Sequence, residues 1–169
     1  MECRRSRGAE HVRPLPGDDL IPEPLAALTH AITIHRDRGA VWPWLAQMGA
    51  GSRAGRYSYD FLDNGGHPSA ARLVPELQSI GAGTLLPALP GITEGDAHTG
   101  PATRLIVRAR GGRGYRFHGL PGPLSKPLIS VVHAVMQRRQ LLGLAQRAES
   151  TAPIPPSPAS MPEPEEHRV

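Results

Sequence analysis

The chain has 169 residues, which suits one domain plus tails, and its 19 glycines and 19 prolines predict an ordered part smaller than the whole. The net charge is +4, but the arginines are scattered among acidic residues, which argues against the basic stripe of a nucleic-acid-binding protein. One cysteine, Cys3, excludes a disulfide framework, and the chain lacks an apolar run of the roughly 18 residues that span a membrane. We therefore expect a cytoplasmic, soluble protein with neither nucleic acid nor membrane as its partner.

The two ends of the chain differ in composition from its middle. Residues 1–24 mix charge with proline and glycine without sustained periodicity, which predicts a loose leader. Residues 150–169 are rich in proline, serine and glutamate and bury too little apolar surface to offset chain entropy, which predicts a disordered tail. One domain is expected over residues 25–149.

The first half of this domain contains one predicted strand and two predicted helices. Residues 29–35 alternate in polarity, which predicts a strand with Ile32 and Ile34 on the same face. Asp37 or Gly39 can cap a helix that continues to Gly49. A second short helix is predicted over residues 57–64, because Asn64 and the glycines after it tolerate positive φ.

The second half is predicted to contain two strands and a long helix. A short strand is expected at residues 83–86, and the clearest strand pattern, TRLIVRAR, covers residues 103–110. Its alternation predicts one buried face, with Leu105 and Val107, and one solvated face of arginines. Residues 124–148 predict a long amphipathic helix. The apolar stripe expected along it consists of Leu128, Val131, Val132, Val135 and Leu142.

Three segments carry a resemblance to a known superfamily: VWPWLAQMG at residues 41–49, RYSYDFLDN at 56–64 and LVPEL at 73–77. They resemble an uncharacterised bacterial branch of the SRPBCC, or START-like, helix-grip superfamily, which is similar to polyketide cyclases and dehydrases. The resemblance implies an α+β fold, in which two short helices follow the first strand of a curved antiparallel sheet. A long C-terminal helix then packs across the sheet and encloses an apolar cavity.

The chain departs from this pattern in its middle. Only 16 residues, 87–102, separate the two predicted late strands, whereas the superfamily places several strands there. Because a strand usually needs about five residues, this segment is too short for a hairpin of its own. We expect an incomplete sheet, whose exposed edge makes a homodimer possible.

The resemblance places the helices near one end of the cavity, so their side chains are candidates for ligand contact. Trp42 and Trp44 point about 200° apart on a helix, so one is expected in the core and the other at an interface. Packing of helix against sheet remains the alternative for each candidate. The candidate ligand-binding residues are Trp42, Trp44, Met48, Tyr57, Tyr59, Val132, His133 and Met136.

No residue pattern identifies a reaction. The eight histidines lack the spacing of metal ligands, and the glycine-rich pieces lack the features of a phosphate-binding loop, so neither a metal nor a cofactor is predicted. Tyr59 and Asp60 suggest acid–base chemistry, but helix capping explains such residues more simply. His133 could act as an acid or base in a pocket or lie at the helix boundary.

Three functions are consistent with these observations. The first is the binding of an apolar small molecule between the sheet and the C-terminal helix, which the resemblance favours. The second is a degenerate or interaction-only protein without a ligand, which the short middle segment favours. The third is an enzyme of the polyketide cyclase or aromatase type, which the superfamily permits but no residue requires.

Overall fold

The structure is a computed structural model that describes residues 8–24, 26–80, 92–95, 101–111 and 122–151. It is a mixed α+β fold, as the sequence predicts. In chain order, its helices and strands are α1 (Gly8–Val12), β1 (Ala26–Ile34), α2 (Arg38–Gln47), α3 (Asp60–Asp63), β2 (Ile92–Gly95), β3 (Thr103–Gly111) and α4 (Gly122–Ser150). Short 3-10 turns cover Asp18–Leu20 and Pro75–Leu77.

The described strands form an antiparallel sheet in the order β1-β3-β2. His30 of β1 lies opposite Val107 of β3, and Ile92 of β2 lies opposite Ala109. Residues 87–102, predicted to be too short for a hairpin of their own, thus contribute β2, which pairs with the following strand. The strand predicted at residues 83–86 and residues 152–169 of the predicted tail lie outside the described residues, whereas Ser150 ends α4.

Both faces of the sheet are covered. Ile32, Leu105 and Val107 point toward α4, as the alternation predicts. The opposite face was expected to be solvated, but there Ile106 packs with Ala31 and Leu15. The described part of the predicted loose leader, residues 8–24, covers this face and contains α1 and one 3-10 turn.

Arg108 of β3 ties this leader to the sheet. Its side chain, in a residue only 4% exposed, donates to the carbonyl oxygens of Glu10 at 2.8 Å, His11 at 3.1 Å and Arg13 at 2.9 Å, and to Asp18 at 2.5 Å. These long-range bonds hold residues 10–18, part of the predicted leader, against the sheet. The composition of residues 8–24 reflects only their own weak tendency to fold. The hydrogen-bond donors that hold this segment come from Arg108 of β3, which is distant in sequence.

The first two predicted helices differ in their outcome. Asp37 caps α2 as expected, because its carboxylate accepts from the backbone N–H of Ala40 at 3.1 Å. The second helix is shorter than predicted and consists only of α3, of four residues. Tyr57 has a φ of 57°, in the left-handed region, so the chain cannot begin an α-helix there.

The buried face of α4 agrees only in part with the predicted stripe: Leu142 packs against the core and Val132 is half-buried, as expected for that stripe. Val131 is 62% exposed and Val135 is 50% exposed, while the side chain of Leu128 lies outside the described residues. Between residues 130 and 150, where burial is described, the buried positions of α4 are Gln137, Leu141, Gly143, Leu144, Ala145 and Ala148. The small residues on this face, Gly143, Ala145 and Ala148, allow α4 to pack close to its neighbours. Close packing of this face determines which side of the helix turns inward, and the side with Val131 and Val135 therefore faces solvent.

Candidate functional site

The C-terminal half of α4 closes one end of the sheet by direct packing. Leu141, Leu144 and Ala148 join Ile32 and Leu105 in a single buried cluster. Trp44 and Tyr57 belong to the same cluster, and Met48 packs against it. At this end, therefore, helix and sheet are joined by a close-packed core.

Toward the N-terminal half of α4, two histidines face each other across the same interface. The ring centroids of His30 on β1 and His133 on α4 are 5.9 Å apart, and both residues are half-buried. His30 Nε2 and His133 Nδ1 are buried without a hydrogen-bond partner in the described part of the chain. Buried polar atoms are usually hydrogen-bonded, so two orphaned nitrogens in one place call for a physical explanation.

Both imidazoles favour the neutral form. Burial lowers the pKa of His30, and the charge that His133 or His11 would carry lowers it further. Burial alone lowers the pKa of His133. Each ring therefore offers one N–H donor and one nitrogen acceptor at neutral pH.

Gln47 organises the polar contacts behind α2. It is fully buried, and its Nε2 donates to the Tyr57 hydroxyl at 2.9 Å and to the Arg72 carbonyl at 3.2 Å. Its Oε1 accepts from the Val74 N–H at 2.8 Å and from Gln78 at 3.0 Å. One side chain thus holds the segment around residues 72–78 against α2.

Tyr57 connects this network to α4. Its hydroxyl donates to the Trp44 carbonyl at 3.1 Å, and its ring meets the Trp44 ring edge-on with centroids 5.9 Å apart. The Arg147 guanidinium lies 4.6 Å from the ring centroid of Tyr57, a cation–π geometry. Burial raises the pKa of Tyr57, although the hydrogen bond from Gln47 and the charge of Arg147 act in the opposite direction. The phenol therefore stays neutral.

Two surface grooves adjoin these elements. The first, the Arg147 groove, has a volume of about 530 Å³ and is lined by Trp44, Ala71, Arg72, Leu73, Gln146, Arg147, Ser150 and Thr151. The second, the α3 groove, has a volume of about 820 Å³ and is lined by Ser58, Tyr59, Asp60, Phe61, Leu62, Val135, Arg138, Arg139 and Leu142.

The structure distributes the predicted ligand-binding residues over several places. Trp44 is buried in the core, as expected for one of the two tryptophans, and Trp42 is 52% exposed. Tyr59 lies in the α3 groove, and His133 faces His30. Tyr57 belongs to the core, and Met48 packs against it. Val132 and Met136 are half-buried on α4.

His30 was missed as a site residue, although the sequence contained a signal for it. It shares the alternation of Ile32 and Ile34 and so lies on the face of β1 that packs against α4. Only the crossing of α4 over this face reveals that His133 is its neighbour.

The acid–base interpretation of Tyr59 and Asp60 gains no support from their contacts. The Asp60 carboxylate accepts from both the backbone N–H and the hydroxyl of Ser69, which closes the loop after α3. Among the described residues, no three potential metal ligands come together. Within the same residues, no helix has the length and apolarity required to cross a membrane.

Comparison of the chain with protein-family models, with curated proteins and with solved structures finds no match.

Proposed function

We propose that the protein binds a neutral, largely apolar small molecule between the sheet and the N-terminal half of α4. The observation that carries this proposal is the pair of orphaned nitrogens, His30 Nε2 and His133 Nδ1, buried at that interface. A ligand hydroxyl or carbonyl placed there would satisfy at least one of them. The location is also the one that the helix-grip resemblance implies.

The chemistry around the two histidines defines the ligand class. On the same sheet face, the neighbours of His30 are Leu28, Ile32 and Val107, all apolar. Because the imidazoles are neutral, they place no demand for charge on the ligand. An apolar body with one or two hydrogen-bonding groups fits such surroundings, and it matches the usual composition of small-molecule sites.

A titration with Nile red, a neutral apolar dye, tests the proposal. We expect saturable binding near one site per chain, together with shifts of the imidazole ¹⁵N resonances of His30 and His133. His30→Leu should weaken binding by about tenfold, because it removes a buried hydrogen bond. His67→Leu, at an exposed loop histidine, provides the matched control. Unsaturable binding, or equal weakening by both substitutions, would refute the proposal.

Self-association is a second candidate function, favoured by the edge position of β1. This strand has nine residues, AALTHAITI, without an Asp, Glu, Lys or Arg, and in the described sheet it pairs on one side only. A long uncharged edge strand is a template for pairing with another chain. Light scattering should report a dimer that Ala27→Lys, at an exposed position of the strand, converts to a monomer. A wild-type monomer at all concentrations would contradict this candidate.

A further inference from the structure

We propose that the Arg147 groove is a second binding site, which holds the carboxylate or phosphate group of a small organic anion between Arg72 and Arg147. This groove is distinct from the space beside His30 and His133, and the inference does not rest on the function proposed above. It is carried by the contacts of the two arginines and by the chemistry of the groove wall.

Arg147 is held in place while much of its donor capacity remains unused. Its Nε donates to the Ala70 carbonyl at 2.8 Å and its Nη1 to the Gly143 carbonyl at 3.0 Å, and its guanidinium lies over the Tyr57 ring. A guanidinium has five N–H donors, so three have no protein acceptor in the described chain. The described residues also provide no carboxylate that pairs with it. A positioned cation with free donors suits bidentate contact with an oxyanion.

Arg72 contributes a second cation to the lining of the groove. Its carbonyl accepts from the buried amide of Gln47, so its backbone is fixed. Its exposed side chain makes no hydrogen bond or ion pair with any other described residue. The same short segment therefore carries Arg72 and contacts Arg147, because the carbonyl of Ala70 accepts a hydrogen bond from the Arg147 guanidinium.

The negative end of α4 lies beside the groove, and two of its last carbonyl groups, those of Arg147 and Glu149, accept side-chain hydrogen bonds. The Thr151 hydroxyl donates to the Arg147 carbonyl at 2.8 Å, and Arg36 donates to the carbonyls of Glu149 and Thr151. These contacts reduce the repulsion that a helix C-terminus otherwise exerts on an anion. The two groove arginines remain available for a ligand.

The groove wall indicates an organic anion. Trp44, Ala71 and Leu73 supply apolar surface, while Ser150 and Thr151 supply hydroxyls. No aspartate or glutamate occurs among its described lining residues. The volume of about 530 Å³ lies within the range of about 300–1,000 Å³ that is usual for small-molecule sites.

The Trp44 indole is a local reporter, because its Nε1–H donates to the Thr151 hydroxyl at 3.2 Å. We would titrate the full chain with hexanoate, hexyl phosphate and inorganic phosphate at constant ionic strength and follow both indole N–H resonances by NMR. The exposed Trp42 serves as the internal reference, and Trp42→Phe assigns the two signals. We expect a saturable shift of Trp44 alone, with at least one hexyl anion binding more tightly than inorganic phosphate.

Arg72→Ala should weaken this binding by about tenfold, because it removes one charge-assisted contact. Arg138→Ala removes the same charge from α4 at the other groove and should leave the affinity unchanged. Preference between hexanoate and hexyl phosphate identifies the oxyanion. The proposal is overturned if no anion gives a saturable shift of Trp44, if both variants weaken binding equally, or if inorganic phosphate binds as tightly as the hexyl anions.

Discussion

Replacing Gly143 of α4 with alanine should destabilise the protein, although alanine is the better helix former. A Cβ at this position would overlap the Tyr57 carbonyl oxygen and lie 3.2 Å from the Tyr57 carbonyl carbon, so the obstacle is backbone. Helix propensity contributes about 1 kcal/mol in favour of alanine, whereas overpacking of this kind costs about 3 kcal/mol. The expected net loss is about 2 kcal/mol.

Urea unfolding followed by tryptophan fluorescence measures this loss, and thermal unfolding should show a fall in Tm of about 6 °C. Gly8→Ala in α1 is the matched control, because a Cβ there meets no atom within 4 Å. It should change stability by less than about 0.5 kcal/mol. If Gly143→Ala were as stable as the wild type, α4 would not approach Tyr57 as closely as the structure indicates.

Three further predictions concern other contacts. The free energy of unfolding should fall as the pH drops below 6.5. The reason is that His30 and His133 bind protons less readily in the folded protein, where their pKa values are lowered, than in the unfolded chain. A variant with both histidines replaced by leucine should show a flatter dependence of unfolding free energy on pH in this range. Gln47→Met should cost about 3 kcal/mol in urea unfolding, because its buried partners lose their hydrogen bonds, and a loss below about 1 kcal/mol would contradict this role. Arg108→Met should cost about 3 kcal/mol and expose residues 8–24 to limited proteolysis, whereas unchanged cleavage would show that other contacts hold them.

Much of the local structure could be predicted because it depends on neighbouring residues. The alternation in β1 and β3 identified the faces that carry Ile32 and Leu105, and Asp37 was identified as a cap from its position before the helix. These features follow from periodicity and short-range hydrogen bonding.

The candidate site was less predictable because its parts are distant in sequence. His30 and His133 are more than one hundred residues apart, and they meet only because α4 crosses the sheet. Arg72 and Arg147 are also distant in sequence, and they line one groove only because α4 packs beside residues 70–73. The valines of α4 misled the prediction of its buried stripe, since the number of apolar side chains does not reveal which face permits close approach.

The sequence by itself determined the faces of β1 and β3, the start of α2 and the existence of a long C-terminal helix, because each depends on local periodicity or capping. The α+β class was expected from the superfamily resemblance. Tertiary structure decided the order of the strands, the covering of the outer sheet face by residues 8–24 and the rotation of α4. These depend on contacts such as those of Arg108 and Gly143, whose partners lie far along the chain. Their energies arise only when the segments meet, so no local pattern encodes them.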